Sequence, residues 1–263
     1  MDADATLSAD EVGAFAVRFR EASDEVGRIL LGQEEVVRLS LVCVLAGGHL
    51  LLEGPPGIGK TLLARALARV LGVTFRRLQF TPDLMPSDVT GGNIYDPRSH
   101  EFEFRPGPVF TQILLADEIN RAPAKTQAAL LEAMSDRQVS VDGVTRRLPR
   151  PFFTMATQNP IESEGTYPLP EAQLDRFLLK VLVAHPPFEV EVDLLRASLA
   201  GFDAGELDSA AVRVVWQEAE LLSAMTMVRR VHMSDDLLAY IARIVGRTRA
   251  HASVALGASP RAS

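Results

Sequence analysis

The chain has 263 residues, 47% of them hydrophobic, with a formal net charge of −7. That length serves one large or two modest domains with a sizeable core, and the acidic balance argues against a protein whose main task is coating nucleic acid. A single cysteine, Cys43, excludes an internal disulfide framework, and no apolar run is long enough to span a membrane.

The start, Met1-Asp2-Ala3-Asp4, is acidic and lacks a signal peptide's basic opening, so a soluble cytoplasmic protein is expected. Residues 9–30 and 34–46 read as helices, with Gly32-Gln33 between them. The second is apolar almost all round (Val36, Val37, Leu39, Leu41, Val42, Val44, Leu45), which predicts burial. Cys43 lies inside that run and reads as a buried, inert thiol.

His49-Leu50-Leu51-Leu52 reads as a buried strand, and Gly54-Pro55-Pro56-Gly57-Ile58-Gly59-Lys60-Thr61 follows it at once. This stretch satisfies G-x-x-x-x-G-K-[ST], the phosphate-binding loop, and Leu62 opens the helical pattern that must come next. Glycines let backbone N–H groups curl around phosphate oxygens, and the helix start adds its positive dipole end. Lys60 is suited to the β- and γ-phosphates and the Thr61 hydroxyl to Mg²⁺.

A strand is expected at Thr74–Phe80. Residues 81–110, with five prolines and Gly91-Gly92, read as a small hairpin interrupting a helix. Ile113–Ala116 reads as a strand ending in Asp117-Glu118. Two acids there, downstream of a phosphate loop, suit a metal-holding Asp117 and a water-activating Glu118. Residues 138–148 carry Asp142-Gly143 between β-prone runs, a strong hairpin signal. The strand Phe152–Thr157 ends in Gln158-Asn159, whose amides can orient a water or touch a γ-phosphate. Arg176 precedes the last strand, Leu178–Val183, and is placed to project from a subunit edge or to pair with Asp175 or Glu171.

Together with 50–53 these make five short strands separated by helices. Their continuous apolarity predicts a parallel sheet covered on both faces, an α/β fold. Composition shifts after Ala184-His185-Pro186-Pro187, and helices are expected at 189–200, 211–230 and 235–250, with Ser234 as a cap. Another helix starts at Ser259-Pro260 and is cut short, so the chain is expected to stop within a helical lid.

The set Gly54–Thr61, Asp117-Glu118-Ile119-Asn120-Arg121-Ala122-Pro123, Ala156-Thr157-Gln158-Asn159-Pro160, Leu169–Phe177 and Gly257–Ala262 resembles the MoxR family of AAA+ ATPases, from about Gly32 to the end. The resemblance implies an αβα nucleotide-binding core over 1–184, an incomplete helical lid over 185–263, and a homo-oligomeric ring, usually of six subunits, with ATP and Mg²⁺ between neighbours. It makes Lys60 and Thr61 Walker A, Asp117 and Glu118 Walker B, Asn159 sensor 1, Arg176 the arginine finger and Arg261 sensor 2. Gly32 and Gln33 match the segment that packs near adenine. The inserts at 81–110 and 138–148 match the helix-2 insert and the pre-sensor-1 hairpin. The family's work is ATP-driven remodelling of a client protein, often beside a von Willebrand factor A domain partner. Whether Arg261 serves its own subunit or the next stays open.

Rival readings are a nucleic-acid motor, a metal-chelatase ATPase subunit and a non-hydrolysing scaffold. The first would use Arg146, Arg147 and Arg150, which read more simply as a solvated face. Arg121 suits a neighbour's phosphate or a salt bridge equally. Phe102 and Phe104 alternate with Glu101 and Glu103, giving that hairpin one apolar face. His49, His100, His185, His232 and His251 lack metal-ligand spacing and read as structural or surface groups.

Overall fold

The computed structural model describes residues 7–159, 166–201 and 212–262. Expectations that touch Met1–Asp4, Pro160, residue 211 and Ser263 lie outside them. Ser8 caps α1 (Ala9–Gly27) reciprocally with Glu11, at 3.2 and 2.8 Å. Then come α2 (Glu34–Leu45), β1 (Leu50–Glu53), α3 (Lys60–Val70) and β2 (Phe75–Gln79). The first insert contributes α4 (Pro86–Thr90), β3 (Gly91–Asp96) and β4 (Glu101–Pro106). β5 (Ile113–Asp117), α5 (Ala124–Asp136), β6 (Gln138–Val141), β7 (Val144–Arg147) and β8 (Phe153–Gln158) follow. The chain continues through α6 (Glu171–Leu174), β9 (Leu179–Leu182), α7 (Phe188–Leu199), α8 (Glu218–Val228) and α9 (Asp235–Ala250).

The five expected strands form one sheet in the order β2-β5-β8-β1-β9, with every pair parallel. Alternation along the strands builds a core on each face. Leu50, Leu52, Ile113, Leu115, Phe153 and Met155 join α1, α2 and α3 on one side. Leu51, Leu114, Ala116 and Ala156 join α5 on the other. Coverage of both faces explains why these strands read as unbroken apolar runs.

Two expectations need correction. The first hairpin does not interrupt a helix: one short helix, α4, precedes it, and turns follow at 107–112. Pro106 and Pro108 flank Gly107, so neither the missing N–H groups nor the backbone before Pro108 favours a helix there. Close packing holds the bend, since a Cβ on Gly107 would sit 2.4 Å from Val89 O. The helix expected from 211 begins only at Glu218. The preceding segment lies extended on the core instead. Val215 and Trp216 both donate N–H to Val70 O, at 2.8 and 3.1 Å. Arg213 reaches Glu25 of α1 through its backbone N at 3.2 Å and its guanidinium at 3.5 Å. Trp216, 2% exposed, and Leu221 complete the core on the α1 side. α7, by contrast, buries none of its residues, and α9 buries only Val245.

The second hairpin forms as expected. Asp142 and Gly143 both take positive φ, 51° and 77°, as a two-residue turn matched to strand twist requires. The two inserts touch. Asn93 donates to Asp142 Oδ2 at 2.6 Å, and Arg146 lies 3.8 Å from the centroid of Phe104. Phe104 also meets Phe110 edge-on, whereas Phe102 is 71% exposed.

His49 ties the layers together and Cys43 is inert, as their surroundings require. The His49 Nδ1 accepts from Thr154 N at 3.0 Å, which leaves Nε2–H to donate to Met134 O at 3.1 Å. Burial, opposed by the bond to Met134, pushes this imidazole down to about 4. Burial likewise pushes the Cys43 thiol up to about 12, and its Sγ donates to His49 O.

Below pH 6.5 the unfolded chain protonates His49 while the folded chain resists down to about 4. Stability should therefore fall by about 3 kcal/mol as pH drops through that window. Urea unfolding across pH 4–7 should show that slope in the native sequence and lose it in His49→Gln; equal slopes would contradict the assignment. Trp216→Ala should cost about 3–5 kcal/mol in the same assay at neutral pH. A cost below about 1 kcal/mol would mean that the 212–216 segment does not belong to the core.

Candidate nucleotide site

The C-terminal ends of β1, β5 and β8 lie side by side, so the segments that follow them meet at one sheet edge. After β1 the loop 54–61 turns back into α3. Gly57 and Gly59 take φ of 81° and 87°, a conformation in which a side chain would strain the backbone. Gly54 has a steric reason too, because a Cβ there would lie 2.4 Å from Val183 O. Lys60, at the start of α3, donates from Nζ to Gly54 O at 2.7 Å.

A cavity of about 480 Å³ opens between this loop and the ends of β5 and β8, lined by Lys60, Thr61, Asp117, Glu118 and Asn159. A second, more apolar cavity of about 340 Å³ shares Pro56, Gly57, Gly59 and Leu62 with it. Leu30, Gln33, Ile58 and Leu194 form its walls. One half thus suits phosphates and metal, and the other suits a flat apolar ring. Gln33 holds the wall by donating to Ala184 O at 3.3 Å. Gly32 lies behind it with φ 70°, where a Cβ would strike Val190 Cγ1 at 2.7 Å. Pro55 lines neither cavity.

The acid pair is held from below by one hydroxyl. Thr157 Oγ1 donates to Asp117 Oδ1 at 2.6 Å and accepts from Glu118 N at 2.9 Å. Glu118 has φ 55°, a conformation rare for a residue with a side chain. Asp117 also accepts from Arg77 Nη2 at 2.7 Å, and Glu118 accepts from Gln79 Nε2 at 2.6 Å and Arg121 Nη1 at 2.9 Å. Arg121 is thus in a salt bridge, one of its two expected fates. Asp117, a residue only 9% exposed, and Thr61 line the same cavity, and a carboxylate with a hydroxyl is a hard oxygen donor set that fits Mg²⁺.

Arg77 and Gln79 are site residues that the sequence reading missed. Both lie at the C-terminal end of β2, two positions apart and so on one face. Arg76 beside them is charged too, so the strand shows no clean alternation that could have marked these two for the site. Gln158, the other amide of its strand, turns elsewhere and donates to Glu53.

Arg176 and Arg261 do not join this cavity. They line another, of about 500 Å³, with Gly48 and Leu178, which precede β1 and β9. It therefore opens at the opposite edge of the sheet. The length of β1, about 13 Å at 3.3 Å per residue, separates the two edges. Arg176 donates to Leu131 O at 2.8 Å and to Ser135, and Arg261 donates to Asp175 O at 3.4 Å.

Several known proteins resemble this chain. Residues 49–179 match the ATPase family associated with various cellular activities (AAA). The Bacillus subtilis protein YeaC is 49% identical over 92% of this chain and 74% of its own length. Chaperone MoxR1 of Mycobacterium tuberculosis is 46% identical over 91% of this chain, which spans 64% of that protein. A crystal structure of a Cytophaga hutchinsonii protein superposes with a TM-score of 0.85 at 40% identity, covering 96% of this chain and 78% of that one. The chain belongs to the MoxR family of AAA+ ATPases.

In this MoxR-family chain the α/β core follows the resemblance read from the sequence. Among the described residues no helix is long and apolar enough to cross a membrane, and no cluster of His, Cys, Asp or Glu could hold a metal by itself.

Thr157→Val keeps the side chain's shape and removes both hydroxyl bonds at the acid pair. It should cost about 1–3 kcal/mol of stability in urea unfolding. A loss under about 0.5 kcal/mol would show that the hydroxyl does not hold the pair.

Proposed function

We propose that the chain hydrolyses ATP with Mg²⁺ at interfaces between copies of itself, and that the cycle remodels a client protein. The observation that supports this most is the meeting of Lys60, Thr61, Asp117, Glu118 and Asn159 on one cavity while Arg176 faces the opposite edge. A site split in this way is complete only when two copies pack edge to edge.

Each residue has a role that its chemistry allows. Backbone N–H groups of the loop and of the start of α3 hold the phosphates. Lys60 leaves Gly54 O and donates to the β- and γ-phosphate oxygens. Thr61 and Asp117 would hold Mg²⁺, which would supply positive charge to offset that of the phosphates. Glu118 accepts the proton of the attacking water, and Asn159 orients that water against the γ-phosphate. The bonds from Gln79 and Arg121 hold the Glu118 carboxylate aside until then. Arg176 of the next copy donates to the terminal phosphate as charge develops there. Arg261 lines the same cavity as Arg176, which favours service to the neighbour's nucleotide.

The six-membered ring and the von Willebrand factor A domain partner follow from the MoxR resemblance, the domain division at about 184 also from the composition shift there, and the cytoplasmic location from the acidic start; all belong to the same proposal. The name Chaperone MoxR1, carried by a relative, favours client remodelling over a nucleic-acid motor. So does the stacking of Arg146 on Phe104, which turns part of the basic cluster inward.

Glu118→Gln should bind a fluorescent ATP analogue about as well as the native protein while turnover falls at least about 10²-fold. Normal turnover in that variant would remove Glu118 from the mechanism.

A further inference from the structure

The cavity at the N-terminal edge of the sheet holds more positive charge than an arginine finger requires. Arg137 lines it beside Arg176 and Arg261. It ends α5 in the left-handed conformation, φ 52°, and its Nη2 donates to Gly47 O at 3.0 Å. Arg229, the residue after α8, reaches the same glycine. The Arg229 and Arg137 Nη2 atoms lie 3.4 and 3.7 Å from where a Cβ on Gly47 would stand, which brings two guanidinium groups close together.

Among the described residues, none of these four arginines has a carboxylate within ion-pair distance. Asp175 shares the cavity, but its carboxylate accepts from the Ser259 hydroxyl. Burial and the charges of Arg229 and Arg150 hold Arg137 below the usual arginine range. Like charges gathered with no carboxylate in ion-pair range leave the group short of a counter-ion. Guanidinium groups pair with phosphate oxygens in two-pronged hydrogen bonds.

We infer that Arg137 is a further phosphate-binding residue of this face, and that its anion is the triphosphate held in the loop 54–61 of a second copy. The inference rests on the ring reading above, because the chain's own loop lies at the other end of the sheet. Arg137 then contacts the neighbour's nucleotide alongside Arg176 and couples ATP binding to assembly.

The test uses Arg137→Gln, which keeps a donor for Gly47 O and removes the charge. Alone it should lose at least tenfold in kcat/KM for ATP, with an unchanged melting temperature and unchanged binding of a fluorescent ATP analogue to dilute subunits. ATP-dependent assembly, read by light scattering, should need more protein. Mixing it with Lys60→Ala subunits should restore turnover, since an intact loop then meets an intact Arg137. A mixture of Lys60→Ala with Arg176→Ala serves as the control. If the control regains activity and the Arg137→Gln mixture does not, Arg137 is not a phosphate ligand and the ring reading stands. If neither regains activity in rings proven to be mixed, both fall. Native turnover and assembly in Arg137→Gln alone would also overturn the assignment.

Discussion

Parallel pairing of β1, β5 and β8 is the constraint on which the site depends. In a parallel sheet all strands finish at one edge, so the segments leaving them are neighbours however far apart they lie in the chain. The register Glu53↔Gln158 and Ala116↔Ala156 sets the loop 54–61, the pair Asp117-Glu118 and Asn159 at that edge. Thr157, one residue beyond the Ala156 pairing, reaches both acids with a single hydroxyl. Tight packing on both faces of the sheet holds this register, because a slip of one residue would exchange Leu51 with Leu50 and Leu52 between two different cores.

The two edges of the sheet carry opposite chemistry. One combines a phosphate loop with two acids, and the other gathers arginines that lack acidic partners. Surfaces of this kind do not pair with themselves. They suit a head-to-tail contact, the kind that closes into rings when the rotation between copies allows. The edge strand β2 adds a second device at the loop edge. Arg77 and Gln79 there donate hydrogen bonds to Asp117 and Glu118, which fixes the direction of both carboxylates.

Much of the fold was legible in the sequence because its signals are local. The loop needs glycines in sequence, the hairpin at Asp142-Gly143 needs a turn pair, and doubly covered strands need unbroken apolar runs. What was not legible depends on distant partners. Arg77 and Gln79 acquire meaning only when β2 takes the sheet edge beside the acids. The extended segment 212–217 was read as helix because its apolar residues suit either state, and Val70 O decides between them. Arg146 looked solvated until the first hairpin brought Phe104 beneath it. Arg137 gave no signal of its own, since a lone arginine at a helix end is ordinary.

The most direct measurement is a crystal structure with Mg²⁺ and a non-hydrolysable ATP analogue. The phosphates should lie in the loop 54–61, with the terminal one facing Asp117 and Glu118 and the Arg77 guanidinium moved off Asp117. Clear density for the nucleotide anywhere else, with the 54–61 loop empty, would contradict the proposed chemistry.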